Sequence, residues 1–356
     1  MNARIGVVGC GWWAAFNHIP AVQGSGHGRV VAICDLDRDR LDRVGDEFGI
    51  SARYTDLDAM LAARRLDGLI VSTPHVAHTA PAIAGLEAGL HVMVEKPMAT
   101  SAGDGRAIAR AAARTGKQVL VPCGMNFTDF TLRAAEMVRE GRIGRIRHAV
   151  CQMGSALDDL FAGQPMLETE GHIFRPPAST WADPARAGGY GWGQMSHALA
   201  WLCHVGDLTF ADMFAITGKS TAGVDYYDAA VGHTRCGATV SLSGSATVPK
   251  HVGMHMDIRI YGTEGCLFFS NAPARLELRR MDAADEILEV TEEDAAYDGM
   301  LPVRHFVRLC AGEDIVNAAD AENGARVTEA LAALYTSADS GQLEFIKSPA
   351  ITGELP

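Results

Sequence analysis

Two glycines near the start of the chain stand at a spacing that suits phosphate binding. A short β-branched run leads into Gly9, Gly11 and Ala14, which form a G-x-G-x-x-A pattern. The first glycine permits a tight turn, the second lets the backbone approach a pyrophosphate, and the small alanine allows close packing of a helix on a strand. The pattern predicts a dinucleotide-binding turn. Trp12 and Trp13 lie within it, and we expect them to cover the cofactor.

An acidic residue follows at the end of the next apolar run. Asp35 comes directly after the run at residues 30–34. A carboxylate in this place accepts hydrogen bonds from the hydroxyl groups of an adenosine ribose and repels the 2′-phosphate of NADP. A plain solvated charge is the alternative, and Arg38 and Arg40 lie nearby. We therefore expect NAD to be the preferred cofactor.

Two later apolar runs also end in residues whose side chains could take part in binding or catalysis. Thr73 and Pro74 follow one run, and Glu95 and Lys96 follow the next. Ligands of parallel sheets bind outside the carboxyl ends of the strands, where these residues would meet. A lysine beside a nicotinamide could take a proton from an alcohol or stabilise a developing alkoxide. The alternative for Lys96 is a surface lysine in a turn.

Strands and helices alternate through residues 1–123, which predicts a Rossmann-type domain. The pattern favours a parallel sheet with helices on both faces. Predicted strands cover residues 4–8, 30–34, 69–72, 91–94 and 118–122, and predicted helices cover residues 36–48, 56–64 and 77–88. Ser101 caps a further helix, with Asp104 as its capping-box partner.

Several motifs along the chain match those of a known family. The motifs are Gly9-Cys10-Gly11 with His18 and Pro20, residues 72–78, residues 86–92, Glu95-Lys96-Pro97, residues 141–144, a glycine-rich stretch ending in His197, and residues 261–265. In these motifs the chain resembles the Gfo/Idh/MocA oxidoreductases, named for glucose–fructose oxidoreductase and inositol dehydrogenase. The resemblance covers nearly the whole chain.

The resemblance implies that residues 124–356 form a substrate-binding and oligomerisation domain. In the family this domain is α+β, with an open, mainly antiparallel sheet and helices on one face. Strands predicted at residues 146–152, 210–217, 229–233, 238–246, 256–261, 266–270 and 276–279 agree, and their short connections suggest a meander. The pattern of residues 321–340 predicts one amphipathic helix. We expect a homo-oligomer, a dimer or tetramer, that forms through this sheet.

The resemblance also assigns roles to individual residues. Lys96 and His197 are the expected catalytic pair, and a histidine suits proton transfer near neutral pH. The expected cofactor-binding residues are Gly9, Gly11, Trp12, Trp13, Asp35, Thr73, Pro74, His75, His78, Glu95 and Lys96. The expected substrate-binding residues are Lys96, Asn126, Trp181, Tyr190, Gln194 and His197.

The region before His197 departs from the pattern of the inositol-dehydrogenase-like members. Those members carry an aspartate four residues before the histidine, where this chain has Gly193. Members resembling the sugar 3-dehydrogenases rely on the lysine and histidine without it. The departure therefore favours oxidation of a ring hydroxyl on a pyranose-type sugar, with Gln194 able to bind a substrate hydroxyl. Trp181 and Tyr190 could stack on a sugar or simply pack within the protein.

Composition excludes several classes of partner. The formal net charge of −12 disfavours nucleic acid and anionic membranes. No run approaches the roughly 20 apolar residues of a membrane helix, and no signal-peptide pattern is present, so we expect a cytoplasmic protein. His251 and His255 have a metal-like spacing but lack further ligands, so we expect no metal.

Three functions fit these features. The leading hypothesis is an NAD-dependent dehydrogenase acting on a small carbohydrate or polyol. The second is an enzyme that uses held NAD transiently, in glycoside cleavage or epimerisation through a keto-sugar. The third is a non-catalytic NAD-binding sensor, against which the presence of both Lys96 and His197 argues.

Overall fold

The structure, a computed structural model, describes residues 2–347, which divide into two compact units. The first unit contains residues up to 124 together with residues 163–188 and 298–325. The second contains residues 125–162, residues 189–297 and the described residues from 326 to 347. The chain leaves the first unit close to the expected boundary at 123/124. It then returns there twice, so a single boundary does not describe the division.

Within the described residues, a six-stranded parallel sheet forms the centre of the first unit. Its strands are β1 (Ala3–Val8), β2 (Gly28–Cys34), β3 (Arg53–Tyr54), β4 (Gly68–Val71), β5 (His91–Val94) and β6 (Val119–Leu120), in the order β3-β2-β1-β4-β5-β6. The apolar runs of these strands are buried because helices cover a parallel sheet on both faces. The strand order reverses between β1 and β4, and such a switch point is where dinucleotides bind.

Within residues 2–124, five helices accompany this sheet. They are α1 (Ile19–Gly24), α2 (Arg38–Glu47), α3 (Leu57–Ala63), α4 (Thr79–Glu87) and α5 (Ala102–Thr115). Three of them, α2, α3 and α5, begin after a residue whose side chain caps the helix. The predicted cap of α5 is confirmed, since the Ser101 hydroxyl accepts a hydrogen bond from the Asp104 N–H at 3.1 Å. A π-helical turn, Ala14–His18, precedes α1 and was not predicted from the residue pattern.

In the described part of the second unit, nine strands form a mainly antiparallel sheet. They are β7 (Ile146–Gly154), β8 (Asp212–Lys219), β9 (Asp225–His233), β10 (Thr239–Ser245), β11 (His255–Gly262), β12 (Gly265–Asn271), β13 (Ala274–Arg280), β14 (Glu286–Leu288) and β15 (Glu344–Phe345). Their order is β14-β13-β12-β11-β7-β10-β9-β8-β15. The suggested meander is therefore wrong at the centre, where β7 inserts between β11 and β10 and runs parallel to β10.

The remaining helices in chain order are α6 (Asp129–Arg139), α7 (Asp158–Phe161), α8 (Ala178–Trp181), α9 (Ser196–Gly206), α10 (Leu301–Cys310) and α11 (Ala321–Ser340). Helix α9 is buried almost throughout. Its Trp201 ring meets the β12 residue Phe269 edge-on at 4.8 Å, and its indole N–H donates to Thr131 on α6 at 2.6 Å. Among residues 2–347, no helix has both the length and the apolar character needed to cross a bilayer.

Candidate active site

The glycine turn joins β1 to the π-helical turn and α1. Gly9 has a φ of +87°, and a Cβ there would lie 2.5 Å from the backbone of Ser72 at the end of β4. A Cβ on Gly11 would meet no atom within 4 Å. Gly9 thus allows the chain after β1 to pass close to the chain after β4. Gly11 leaves room for a ligand beside the first N–H groups of a helix. A pyrophosphate is the group that such a helix N-terminus accommodates.

Asp35 at the end of β2 is buried and holds the glycine turn in place. Its Oδ2 accepts a hydrogen bond from the Cys10 N–H at 2.8 Å, and its Oδ1 accepts one from the Asp37 N–H at 2.9 Å. The Arg40 guanidinium lies 3.2 Å from both oxygens and 3.5 Å from Asp37. Arg40, the nearby candidate for binding a 2′-phosphate, is therefore already paired with carboxylates.

A buried ion pair follows β5. Glu95 Oε1 lies 2.9 Å from Nε2 of the buried His18, and Glu95 Oε2 accepts a hydrogen bond from the Lys96 N–H at 3.0 Å. Burial alone would raise the pKa of Glu95, but the hydrogen bond and charge of His18 and the charge of Lys96 outweigh it, so the pKa is lowered. This carboxylate is ionised at neutral pH.

Lys96 is buried in the first unit, and its environment favours the neutral amine. Burial lowers the pKa of Lys96, while the charge of Glu95 opposes this shift in part. The Nζ atom lies 5.0 Å from the centre of the Trp181 ring, within the range of a cation–π contact. A lysine whose pKa is lowered by burial can act as a base closer to neutral pH.

The residues after β4 form a hydrogen-bonded support for this end of the sheet. His78 places Nδ1 2.8 Å from the Pro97 carbonyl and Nε2 2.8 Å from the Thr73 carbonyl, which links the ends of β4 and β5. His75 places Nδ1 2.8 Å from the Ala187 carbonyl. Burial lowers the pKa of His75 to about 3, so its ring is neutral and Nδ1–H donates this bond. Pro74 precedes the short 3₁₀ helix His75–Ala77.

Trp12 and Trp13 both lie partly exposed beside the glycine turn. The Trp12 indole N–H donates to Nδ1 of His172 at 2.8 Å, and its ring meets the Trp181 ring edge-on at 6.5 Å. Trp13 meets the His18 ring edge-on at 6.4 Å. Their position suits the predicted cover of a cofactor, which stays a prediction.

In the second unit, His197 lies in the first turn of α9 and is buried. Its ring meets the Tyr297 ring edge-on at 5.5 Å. The buried Asn126 donates from Nδ2 to the carbonyl of Ala200 on the same helix at 3.0 Å. Asn126 therefore braces the helix that carries His197, and its contact with a substrate stays a prediction.

A π-helical turn, Gly191–Met195, leads into α9. Within it, Gln194 is buried and accepts a hydrogen bond from the Ser155 hydroxyl at 3.3 Å. Tyr190, just before the turn, is fully buried, with its hydroxyl donating to the Met153 carbonyl at 3.0 Å and its ring edge-on to Phe161. This burial gives Tyr190 a packing role, and stacking on a sugar stays a prediction.

The π-helical turn is held by a network that sequence reasoning missed. Asp225 Oδ2 accepts from the Gly191 N–H at 2.6 Å, and Oδ1 accepts from the Tyr335 hydroxyl at 2.8 Å. The Tyr335 oxygen in turn accepts from the Trp192 N–H at 3.1 Å. A Cβ on Gly191 would lie 2.6 Å from this oxygen, so the glycine allows the close approach. The run of glycines before His197 was the available signal.

Asp228, also on β9, is a buried carboxyl group beside Asp225. Burial, the charge of Asp225 and a hydrogen bond to Asp225 raise the pKa of Asp228 well above its ordinary value. The pKa of Asp225 is raised as well, chiefly by burial. The raised pKa values favour protonation of one member of the pair, because two adjacent buried carboxylates cannot both ionise readily.

Two family models match the chain. One describes an oxidoreductase family with an NAD-binding Rossmann fold and matches residues 3–122. The other describes the C-terminal domain of GFO/IDH/MocA proteins and matches residues 131–268. Together they cover more than half of the chain. The chain belongs to the Gfo/Idh/MocA oxidoreductase family.

Relatives in this family include named carbohydrate dehydrogenases. The chain is 32% identical to a D-apiose dehydrogenase from Paraburkholderia graminis over 161 residues, which are 45% of this chain and 42% of that protein. It is 28% identical to an inositol 2-dehydrogenase/D-chiro-inositol 3-dehydrogenase from Halalkalibacterium halodurans over 169 residues, 47% of this chain and 43% of that protein. The chain thus matches less than half the length of these relatives.

A solved structure shows that the fold is shared over nearly the full chain. The WlbA dehydrogenase from Bordetella pertussis, in complex with NADH and UDP-GlcNAcA, gives a TM-score of 0.74 at 24% identity. The alignment covers 98% of this chain and 100% of that chain.

The cofactor of the family's Rossmann domain is NAD, and the first unit fits it. Gly11 leaves open space beside a helix N-terminus, and Asp35 directly follows β2, which are the places where such a domain would hold a pyrophosphate and a ribose. Lys96 stands at the end of β5. These positions agree with the sequence prediction of an NAD-binding Gfo/Idh/MocA oxidoreductase.

Proposed function

We propose that this protein is a dehydrogenase that oxidises a ring hydroxyl of a sugar, a sugar derivative or a cyclic polyol, or reduces the corresponding ketone. The observation that carries the proposal is the buried Lys96 beside the ionised Glu95 at the end of β5. NAD, when bound, accepts the hydride. The names of the relatives, which refer to apiose and inositol, support a carbohydrate or polyol substrate.

Lys96 takes the hydroxyl proton in this proposal. Its lowered pKa increases the fraction of neutral amine at Nζ, and Glu95 stabilises the ammonium ion that forms when the proton arrives. The family resemblance makes His197 a second acid or base, braced through Asn126 and α9. Gln194 and Trp181 are the proposed substrate contacts, and Tyr190 supports the turn that carries Gln194.

We assign the cofactor preference to NAD rather than NADP. Asp35 would meet a 2′-phosphate with a negative charge. Arg40 is paired with Asp35 and Asp37, and Arg43 donates to the Ile173 carbonyl at 3.0 Å. Neither guanidinium is positioned as a ready phosphate partner.

Absorbance at 340 nm tests the function directly. Purified protein with NAD is given a panel of sugars, inositols, glycosides and sugar acids, beside the Lys96→Ala variant. We expect NADH to form with one substrate class and the rate to fall about 10³-fold or more in the variant, since proton transfer alone contributes 10²–10⁴. Lys117→Ala, a half-exposed lysine of the same unit, serves as the matched control.

A flat trace would overturn net dehydrogenation. If NAD(H) were then released only on denaturing the protein, the second candidate, an internal redox cycle such as glycoside cleavage or epimerisation, would take its place. Contacts between residues 163–188 and the rest of the first unit favour strong retention of the cofactor, which supports this second candidate.

The protein is proposed to act as a homo-oligomer that assembles through the sheet of the second unit. Strands β8 and β9 place exposed apolar side chains on one face of this sheet. Ile216, Tyr227 and Val231 are 66%, 54% and 52% exposed. Along β9, Asp228 faces inward while Tyr227 and Val231 face outward, and a shift in the β8–β9 register next to Tyr226 leaves Asp225 buried as well.

A further inference from the structure

Residues 163–188 form a segment that is distant in sequence from the Rossmann strands but belongs to the first unit. The 163–188 segment contains the short helix α8 and two 3₁₀ turns, Leu167–Thr169 and Pro184–Arg186. The segment contacts the Rossmann part of this unit, residues 2–124, at three places. Each place lies near the end of a strand in the proposed cofactor site.

The first contact lies at the glycine turn. His172 accepts a hydrogen bond from the Trp12 indole at 2.8 Å, and its ring stacks on Phe16 at 3.9 Å with an interplanar angle of 17°. Trp12 is part of the turn itself, and Phe16 belongs to the π-helical turn that follows it. The segment therefore packs on the element that would hold the pyrophosphate.

The second contact lies beyond the end of β2. The Phe174 ring lies 4.7 Å from the Arg43 guanidinium carbon and 6.0 Å from that of Arg40. Arg40 is the residue paired with Asp35. This contact joins the segment to the end of the site where an adenosine ribose would bind.

The third contact lies at the ends of β4 and β5. The Ala187 carbonyl accepts from His75 at 2.8 Å, and the Trp181 ring meets the His75 ring edge-on at 5.0 Å. Trp181 also lies 5.0 Å from Lys96 Nζ. A nicotinamide would bind at this end.

We propose that the 163–188 segment is a further part of the cofactor site, which encloses the bound dinucleotide along its length and slows its release. His172, Phe174 and Trp181 are the residues that hold the segment in place. The contacts reach elements that follow β1, β2 and β4, so in this proposal an extended dinucleotide leaves only after they open. The inference rests on the NAD site alone and is independent of the substrate named above.

Release of NADH tests this proposal without any substrate. Protein loaded with NADH is mixed with excess NAD, and the loss of NADH fluorescence gives the dissociation rate. We expect the His172→Ala/Phe174→Ala variant to release NADH about tenfold faster or more, with a smaller change in association rate. Leu167→Ala is the matched control, since this residue of the same segment is 78% exposed, and its rate should equal that of the wild type. Equal rates in all three proteins would overturn the proposal.

Proteolysis of the wild type supplies a second test that needs no variant to fold. Trypsin can cut after Arg186, which is half-exposed and lies next to Ala187, the partner of His75. We expect saturating NADH to slow cleavage at this bond at least tenfold relative to the protein freed of cofactor. Cleavage at the same rate with and without NADH would show that the segment does not close over the cofactor.

Discussion

The charges of Lys96 and Glu95 depend on each other in a buried setting. Burial disfavours the ammonium form of Lys96, and Glu95 partly restores it. At the residue scale, the working pH of the enzyme should therefore depend on this one carboxylate, because a nearby negative charge raises the pKa of an amine.

Glu95→Gln should move the acid limb of the kcat/KM profile to lower pH. Loss of the carboxylate lowers the pKa of Lys96 further, so neutral amine is available at a lower pH. The measurement is the pH profile of the dehydrogenase reaction for wild type and variant, with the substrate found in the panel. A limb that stays in place or moves to higher pH would contradict the assignment of Lys96 as the base.

A second prediction at the residue scale concerns Asp35 and Arg40, which we propose set the preference for NAD over NADP. Asp35→Ala should weaken NAD about tenfold or more and weaken NADP less, because the ribose acceptor is lost and Arg40 is released toward a 2′-phosphate. Fluorescence titration with NADH and NADPH gives both affinities. The Asp35→Ala/Arg40→Ala variant should lose the relative gain for NADPH, and an unchanged preference in both variants would overturn the assignment.

At the scale of the element, the two glycines of the phosphate turn have different tasks. Gly9→Ala should lower the free energy of unfolding by about 2 kcal/mol or more, since the residue has a positive φ and its Cβ would press on the Ser72 backbone. Gly11→Ala should leave it within about 0.5 kcal/mol yet weaken NADH about tenfold, because its Cβ enters the space kept for the ligand. Denaturant unfolding and NADH titration of both variants separate the two effects; unweakened NADH binding in Gly11→Ala would refute its role.

We expect the buried carboxyl pair Asp225 and Asp228 to make the stability of the second unit depend on pH. Because the pKa of Asp228 is raised in the folded state, its contribution to stability is full below the ordinary carboxyl pKa and is lost as pH rises toward the folded value. Asp228→Asn mimics the protonated form. The variant should exceed the wild type in stability by roughly 1 kcal/mol at pH 8 and lose this advantage toward pH 4.

Thermal or urea unfolding between pH 4 and pH 9 measures this difference. Asp339→Asn, an exposed residue of α11, is the control and should follow the wild type at every pH. A variant at position 228 that is less stable than the wild type across the whole range would contradict the raised pKa of Asp228.

At the scale of the whole molecule, the exposed face of β8 and β9 should decide the assembly. Burying Ile216 and Val231 between subunits would be favourable by about 25 cal/mol per Å² of apolar surface. We expect sedimentation to show a dimer or tetramer, and Ile216→Lys/Val231→Lys to reduce it to monomers. Leu36→Lys, at a site that is 91% exposed in the first unit, should not change the mass. A monomeric wild type would refute the proposal.

The order of local elements in the first unit could be predicted because each signal is short-range. A glycine turn after a β-branched run, a capping serine and charged residues at strand ends act through neighbours in the sequence. The placement of Gly9, Asp35 and Lys96 just beyond the ends of their strands follows from such signals. The assignment of His197, in the second unit, came from the family resemblance instead. The two-residue strand β3 was missed, since a strand this short carries almost no periodicity.

The sequence by itself determined the family, the Rossmann sheet, the NAD cofactor and the residue types at the strand ends. Only the tertiary structure decided which distant residues meet. Trp12 donates a hydrogen bond to His172, which lies 160 positions away in the sequence. Tyr335 donates one to Asp225, which lies 110 positions away. Two further features also depend on residues that are distant in sequence. They are the insertion of β7 parallel to β10 and the return of the 163–188 segment to the first unit. Such contacts depend on how whole elements pack, and no local pattern of residues encodes their partners.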